Sequence, residues 1–163
     1  MKMFTLFDLP ESYEVPEGER NRMLRRVKQF SELPEGEWLN AINWQAVNLK
    51  WCCGMTQENG VMGCFVFATN TIYLQPEDLS MPSKTSCWPE LMAPTLIHEL
   101  RHKWQFEHNK LLYVICCLPF LREITIEKDA EKITESAQEF CEKLDAAEAS
   151  AEYEFKQAEK NKK

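Results

Sequence analysis

The apolar positions change period along the chain, and each change predicts a new element. Met23, Leu24, Val27 and Phe30 recur at helical spacing between Pro16-Glu17-Gly18-Glu19 and Pro34, which predicts an amphipathic helix. From Gly36 to Trp51 the residues Trp38, Ile42, Trp44, Val47 and Leu49 fit both a helical and an alternating pattern. That segment is core-forming, with its class left open. Val61 to Gln75 is rich in Val, Phe, Ile and Tyr around Thr69-Asn70-Thr71, which predicts a short β-hairpin with a turn or bulge at those three residues. Pro76, Pro82, Ser83 and Pro89 mark a loop, and Leu91 to His108 carries the pattern of a buried helix. In the last third, Ile126, Ala130, Ile133, Ala137, Phe140, Leu144, Ala147 and Ala151 recur at spacings of four and three. This predicts a long C-terminal helix over residues 127–158, lying along the domain. So many of its stripe positions are Ala that the chain is expected to be a monomer, or a weak homodimer through this helix.

A length of 163 residues suits one domain spanning 1–163. The element order then predicts an α+β fold: a small mixed or antiparallel sheet of three or four strands beside the Leu91–His108 helix, with the last helix packed across it. Hydrophobic residues at 44% and charged residues at 28% are ordinary for a globular chain. The net charge of −7 argues against a nucleic-acid surface, which needs clustered Lys and Arg. The one basic cluster, Arg20, Arg22, Arg25, Arg26 and Lys28, reads as a solvated helix face. The opening Met-Lys-Met-Phe-Thr-Leu-Phe is too short an apolar run for a signal peptide and reads as a strand. Leu111 to Leu121, interrupted by Pro119, is about half the ~20 residues that a spanning helix needs. It reads as a buried core segment, with a hairpin dipping into a membrane as the lesser alternative, and no membrane partner is expected. Seven cysteines, with the adjacent pairs Cys52-Cys53 and Cys116-Cys117, suit neither a disulfide framework nor a Cys-x-x-Cys metal site, so a cytoplasmic location is expected.

The candidate chemistry lies on the helix before His108. A helix turns about 100° per residue, so His98 and His102 in His98-Glu99-Leu100-Arg101-His102 differ by about 40° in direction. Both imidazoles can then point at one ion, and Glu99 falls beside them. This H-E-x-x-H spacing suits zinc, with Glu99 placed to take a proton from the attacking water and pass it to a leaving amine.

A hydrolytic zinc site takes three protein ligands and keeps a fourth position open, so a third ligand is needed. Two candidates compete. Glu127 belongs to Glu127-Lys128-Asp129-Ala130-Glu131, where Glu127 and Glu131 share one helical face. Glu127 would take the metal, Glu131 would accept the outer N–H of a ligating histidine, and small Ala130 would let the two helices approach. His108 has the spacing of the longer pattern H-E-x-x-H-x-x-G-x-x-H, but Gln105 stands where that pattern turns the chain at Gly. Without the turn His108 lies about 240° around the helix from His102, so Glu127 is favoured.

With these residues in view, the chain resembles the gluzincin metallopeptidases, in which H-E-x-x-H on one helix is followed by a glutamate ligand on a later one. The segment Thr95 to Gln105 looks like the motif helix of small bacterial and phage metallopeptidases. Glu127-x-x-Ala130-Glu131 looks like their E-x-x-A-D motif, with Glu131 in place of Asp. The resemblance implies a zincin-like fold and a Zn2+ held by His98, His102 and Glu127. It implies peptide-bond hydrolysis with Glu99 as general base and acid, Glu131 beside a ligating histidine, and a strand containing Tyr73 that pairs with an extended peptide or protein substrate. Tyr113 and Arg101 are the residues that could be considered for stabilising the oxyanion, and neither is assigned. The alternative is a catalytically inactive zincin-fold binding or regulatory module with a structural metal. The presence of Glu99 weighs against it, because a structural metal needs no carboxylate beside a water.

Overall fold

The computed structural model describes residues 12–52, 63–75, 88–116 and 125–160; the strand expected at the start of the chain and nearly all of the loop expected after Gln75 lie outside them. Four strands, β1 (Ser12–Glu14), β2 (Asn48–Cys52), β3 (Gly63–Val66) and β4 (Thr71–Leu74), form one mixed sheet in the order β1-β2-β4-β3. β3 and β4 are the expected hairpin, antiparallel with Phe65 opposite Ile72. Its turn is residues 67–70, so Thr71 belongs to the strand and not to the turn. Asn70 takes a φ of 48°, which a short polar side chain tolerates better than most. Its amide donates to the Ala46 carbonyl at 3.2 Å and its oxygen accepts from Lys103 Nζ at 2.9 Å. The turn is thereby tied both to the approach to β2 and to the helix that bears the histidines. β4 pairs in parallel with β2, and β1 pairs antiparallel with β2.

Strand alternation turns Leu49, Trp51, Phe65, Ile72 and Leu74 to one face, where they join the main core, while Cys52, Cys64, Val66 and Tyr73 cluster on the other. Five helices complete the described chain: α1 (Glu17–Ser31), α2 (Trp88–Leu91), α3 (Ala93–His108), α4 (Lys110–Cys116) and α5 (Ile126–Lys160). The stretch whose class was open contains two 3-10 turns, Pro34–Ala41 and Trp44–Ala46, followed by β2. α1 buries Met23, Val27 and Phe30 at helical spacing, and Glu19 in its first turn accepts the Trp51 indole N–H at 2.9 Å. α3 opens with Pro94 in its first turn, where a missing N–H costs nothing, and buries Leu96, Ile97 and Leu100. Fully buried Met23, Phe30, Leu96, Ile97 and Leu100 each contribute about 1.5–3 kcal/mol by leaving water. The same core reaches Ala137 of α5, so the histidine helix is held between the sheet and the long helix.

Three expectations change. The basic cluster is not simply a solvated face: Arg26 is 2% exposed, and its Nη2 bonds Asp145 Oδ1 at 2.6 Å and Glu148 Oε2 at 2.9 Å. Arg20 Nη2 likewise donates to the carbonyls of Gln45 and Val47. The apolar stretch from Leu111 is not a buried core segment where it is described. α4 turns Tyr113 inward but leaves Leu111, Val114 and Ile115 exposed, because a short helix lying on a neighbour can bury only one face. Residues 117–121 of that stretch lie outside the described chain. Finally, the α5 stripe packs through Ile126, Ala130, Ile133, Ala137 and Phe140, with Cys141 buried beside it, whereas Ala147 and Ala151 are exposed. The helix therefore covers the core with its first half only.

Among the described residues no helix is long and apolar enough to cross a membrane. Among the described residues Cys141 is a free, buried thiol. Burial, helped by the charges of Asp145 and Glu142 against the opposing pull of Arg26, pushes the Cys141 thiol up to about 11. It stays protonated at neutral pH, which suits a packing residue and not a nucleophile.

Candidate metal centre

α3 presents His98, Arg101, His102 and Gln105 in one stripe, at the i, i+3, i+4 and i+7 positions that share a helix face. α5 meets it with Glu127, Ala130 and Thr134, again at i, i+3 and i+7. Ala130 is fully buried, and its small side chain lets the two helices come close. His98 Nε2 and His102 Nε2 are 3.1 Å apart, and Glu127 Oε2 lies 3.3 Å from each. These three residues form a group that could hold a metal ion. Ligands about 2.0–2.1 Å from a tetrahedral zinc are separated by about 3.3 Å, so the triangle has the edge lengths of one face of that tetrahedron. The His102 side chain is 3% exposed, while those of His98 and Glu127 are each 19% exposed. The triangle is thus closed on the His102 side and accessible on the other, as a site with a free coordination position requires.

Burial alone would lower the pKa of His102, but the Glu127 hydrogen bond, the charges of Glu99 and Glu127 and the Gln105 hydrogen bond outweigh it and raise the pKa above the usual 6.5. In the metal-free chain, protonated His102 contributes stability that is fully present below 6.5 and is lost as pH rises through the raised value. A metal needs the neutral ring, so metal and proton compete there. The zinc-induced rise in Tm is therefore expected to grow as pH increases through the His102 titration and then level off. Thermal melts with and without zinc across that range check this; a pH-independent increment would remove His102 from the ligand set.

Glu99 is 5% exposed and lies against β3. A Cβ on Gly63 would sit 2.8 Å from both Glu99 Cγ and Glu99 Oε1, so the strand can come this near the carboxyl only because the residue is glycine. The other sequence candidates are placed differently. Glu131 is exposed, and the outer ring nitrogens are met by other side chains: His98 Nδ1 by Thr134 Oγ1 at 2.8 Å and His102 Nδ1 by Gln105 Oε1 at 3.0 Å. One turn beyond Glu127 on this face is Ala130 and then Thr134, which leaves Glu131 rotated toward solvent. Tyr73 is buried on an interior strand, opposite Lys50 of β2 and Cys64 of β3. Both edges of that strand are already hydrogen-bonded, so it cannot accept an extended partner.

His108 is exposed, stacked on Trp104 with ring centroids 4.2 Å apart, and its Nδ1–H donates to the Trp104 carbonyl. It takes no part in the triangle. Arg101 is committed to Asp129, with Nε to Oδ2 at 2.7 Å and Nη2 to Oδ1 at 3.2 Å. Although partial burial alone would raise the Asp129 pKa, hydrogen bonds from Arg101 and Gln105 and the charges of Arg101 and His102 hold it below the usual range. Tyr113 on α4 has its ring centroid 6.4 Å from that of His102 and 5.6 Å from that of Phe106, forming an aromatic wall beside the triangle. Thr134 is not among the sequence candidates: i+7 spacing from Glu127 gives it the same helix face, but only the packing of α5 on α3 brings it to His98. No protein-family model matches the chain, and no curated protein or solved structure matches it.

Proposed function

We propose that the chain is a zinc-dependent, zincin-type metallopeptidase in which His98, His102 and Glu127 hold the metal and Glu99 transfers protons. The observation that supports this most is the Nε2, Nε2 and Oε2 triangle of 3.1, 3.3 and 3.3 Å, with a buried carboxylate on the same helix. Two imidazoles and one carboxylate suit zinc, whereas calcium and magnesium ask for an oxygen-dominated shell. When bound, zinc supplies Lewis acidity toward a scissile carbonyl and makes a water easier to deprotonate at neutral pH.

The rest of the chemistry belongs to the chain. The Glu99 carboxylate accepts the proton of the attacking water and returns it to the amine nitrogen as the C–N bond breaks. Its buried position against Gly63 fixes its direction and limits competition from bulk water. β3 is the strand that reaches Glu99, so a bound peptide is placed along β3, in place of the Tyr73 strand first expected.

Metal removal tests the reading. Cleavage of a fluorogenic peptide library by the zinc-loaded chain should disappear on chelation and return with added zinc. The chelated chain should stay folded, because the main core draws on α1, the sheet and α3 well beyond the triangle. Cleavage that persists after verified zinc removal would overturn it.

A further inference from the structure

The two histidine nitrogens that face away from the candidate metal position are each met by a side chain with no role in the chemistry above. Thr134 Oγ1, 2.8 Å from His98 Nδ1, has its own proton directed at the Ala130 carbonyl at 2.8 Å. A hydroxyl has one proton and two lone pairs, so with that proton committed Thr134 accepts from His98. Gln105 Oε1 lies 3.0 Å from His102 Nδ1, and Gln105 Nε2 donates to the Ile126 carbonyl at 3.0 Å and to Asp129 Oδ2 at 2.8 Å. Turning this amide over would aim its oxygen at two acceptors. Its oxygen therefore faces His102, and His102 must donate.

Asp129 is in turn gripped by Arg101, whose guanidinium carbon lies 5.0 Å from the Trp38 ring centroid and 4.0 Å from that of Trp104. A continuous set of contacts runs from two indoles through Arg101, Asp129 and Gln105 to His102. It reaches α5 at Ile126 and Asp129, which flank Glu127.

We infer that Gln105 and Thr134 are positioning residues that lock His102 and His98 in the Nδ1–H tautomer, so that both Nε2 lone pairs face one point. The Arg101–Asp129 pair fixes the Gln105 amide the right way round and sets the α5 register that brings Glu127 to the same place. This rests on the metal reading and deepens it: a neutral imidazole carries one N–H, and a ring in the other tautomer has its ligand nitrogen blocked. It also gives a role to Gln105, which stands where the longer histidine pattern has Gly. A glycine there could make none of these side-chain bonds.

Long-range proton–nitrogen correlation spectra of the metal-free chain, recorded above the histidine titration, read the tautomer of each ring directly. Wild type is expected to show His98 and His102 as Nδ1–H. Thr134→Val should release His98 alone toward Nε2–H, Gln105→Leu should release His102 alone, and Thr134→Ser should restore the wild-type pattern. Zinc affinity, measured by chelator competition, should fall about 10- to 100-fold in Thr134→Val and Gln105→Leu and recover in Thr134→Ser. Rings in the Nε2–H form in wild type, or tautomers and affinity unchanged in both folded variants, would overturn the inference. The expected tautomers in a wild-type chain that binds no zinc would uphold the lock and sink the metal reading, so the two failures are distinguishable.

Discussion

Glu99→Gln is expected to keep its zinc and lose roughly 10²- to 10⁴-fold in kcat/KM for peptide hydrolysis, the range that a positioned acid–base group supplies. The amide has the size and shape of the carboxyl it replaces, so it fits the same space against Gly63, where Glu99 is 5% exposed. It cannot accept a proton from water or return one to a leaving amine. Glu99 also lies outside the group that could hold the metal, so its loss takes away no ligand. Its charge is one of the influences that raise the His102 pKa, so its removal eases proton competition with the metal at neutral pH. Zinc content and kcat/KM measured on the same preparation separate the outcomes. Zinc retained with turnover intact would dismiss Glu99 as the proton carrier. A wild type that binds zinc and cleaves nothing would favour a binding module with a structural metal.

Glu127→Ala should abolish most of the stabilisation that zinc gives the wild type. At free zinc a thousandfold above Kd, binding to the folded state alone stabilises by about 4 kcal/mol. For a chain of this size that is a Tm increase of roughly 8–16 °C. Glu127 Oε2 is 3.3 Å from both histidine nitrogens, and without it two ring nitrogens remain to hold the ion. The metal-free variant should still fold, because α5 stays anchored through Ala130, Ala137 and Cys141. Its melting temperature at acidic pH should drop somewhat, since the hydrogen bond that most favours protonated His102 is gone. A full zinc-induced shift in Glu127→Ala would move the third ligand to another residue.

The legible parts of the site were those set by local geometry. His98 and His102 share a helix face by spacing alone, and Glu127, sought in the sequence as a third candidate ligand on a later helix, lies within 3.3 Å of both. Thr134 and the Gln105 amide were not legible as partners, because their roles depend on how α3 and α5 are aligned and that alignment is a tertiary fact. Tyr73 was expected on the outer strand because strand alternation says which residues share a face and nothing about strand order. β4 instead lies between β2 and β3 in the sheet. Arg26 looked like one charge of a solvated face because its partners, Asp145 and Glu148, are distant in sequence. For α4, the apolar run gave hydrophobicity without saying which face would find a neighbour, and only Tyr113 is buried among its described apolar side chains.

The most direct test of the proposed metal centre is the zinc content of the folded wild-type chain, loaded, freed of excess metal and measured by elemental analysis beside His108→Ala. One zinc per chain in both proteins is the expected result, because His108 points away from the triangle and bonds the Trp104 carbonyl. A folded wild type that retains no zinc, or a His108→Ala protein that loses it, would contradict a site built from His98, His102 and Glu127.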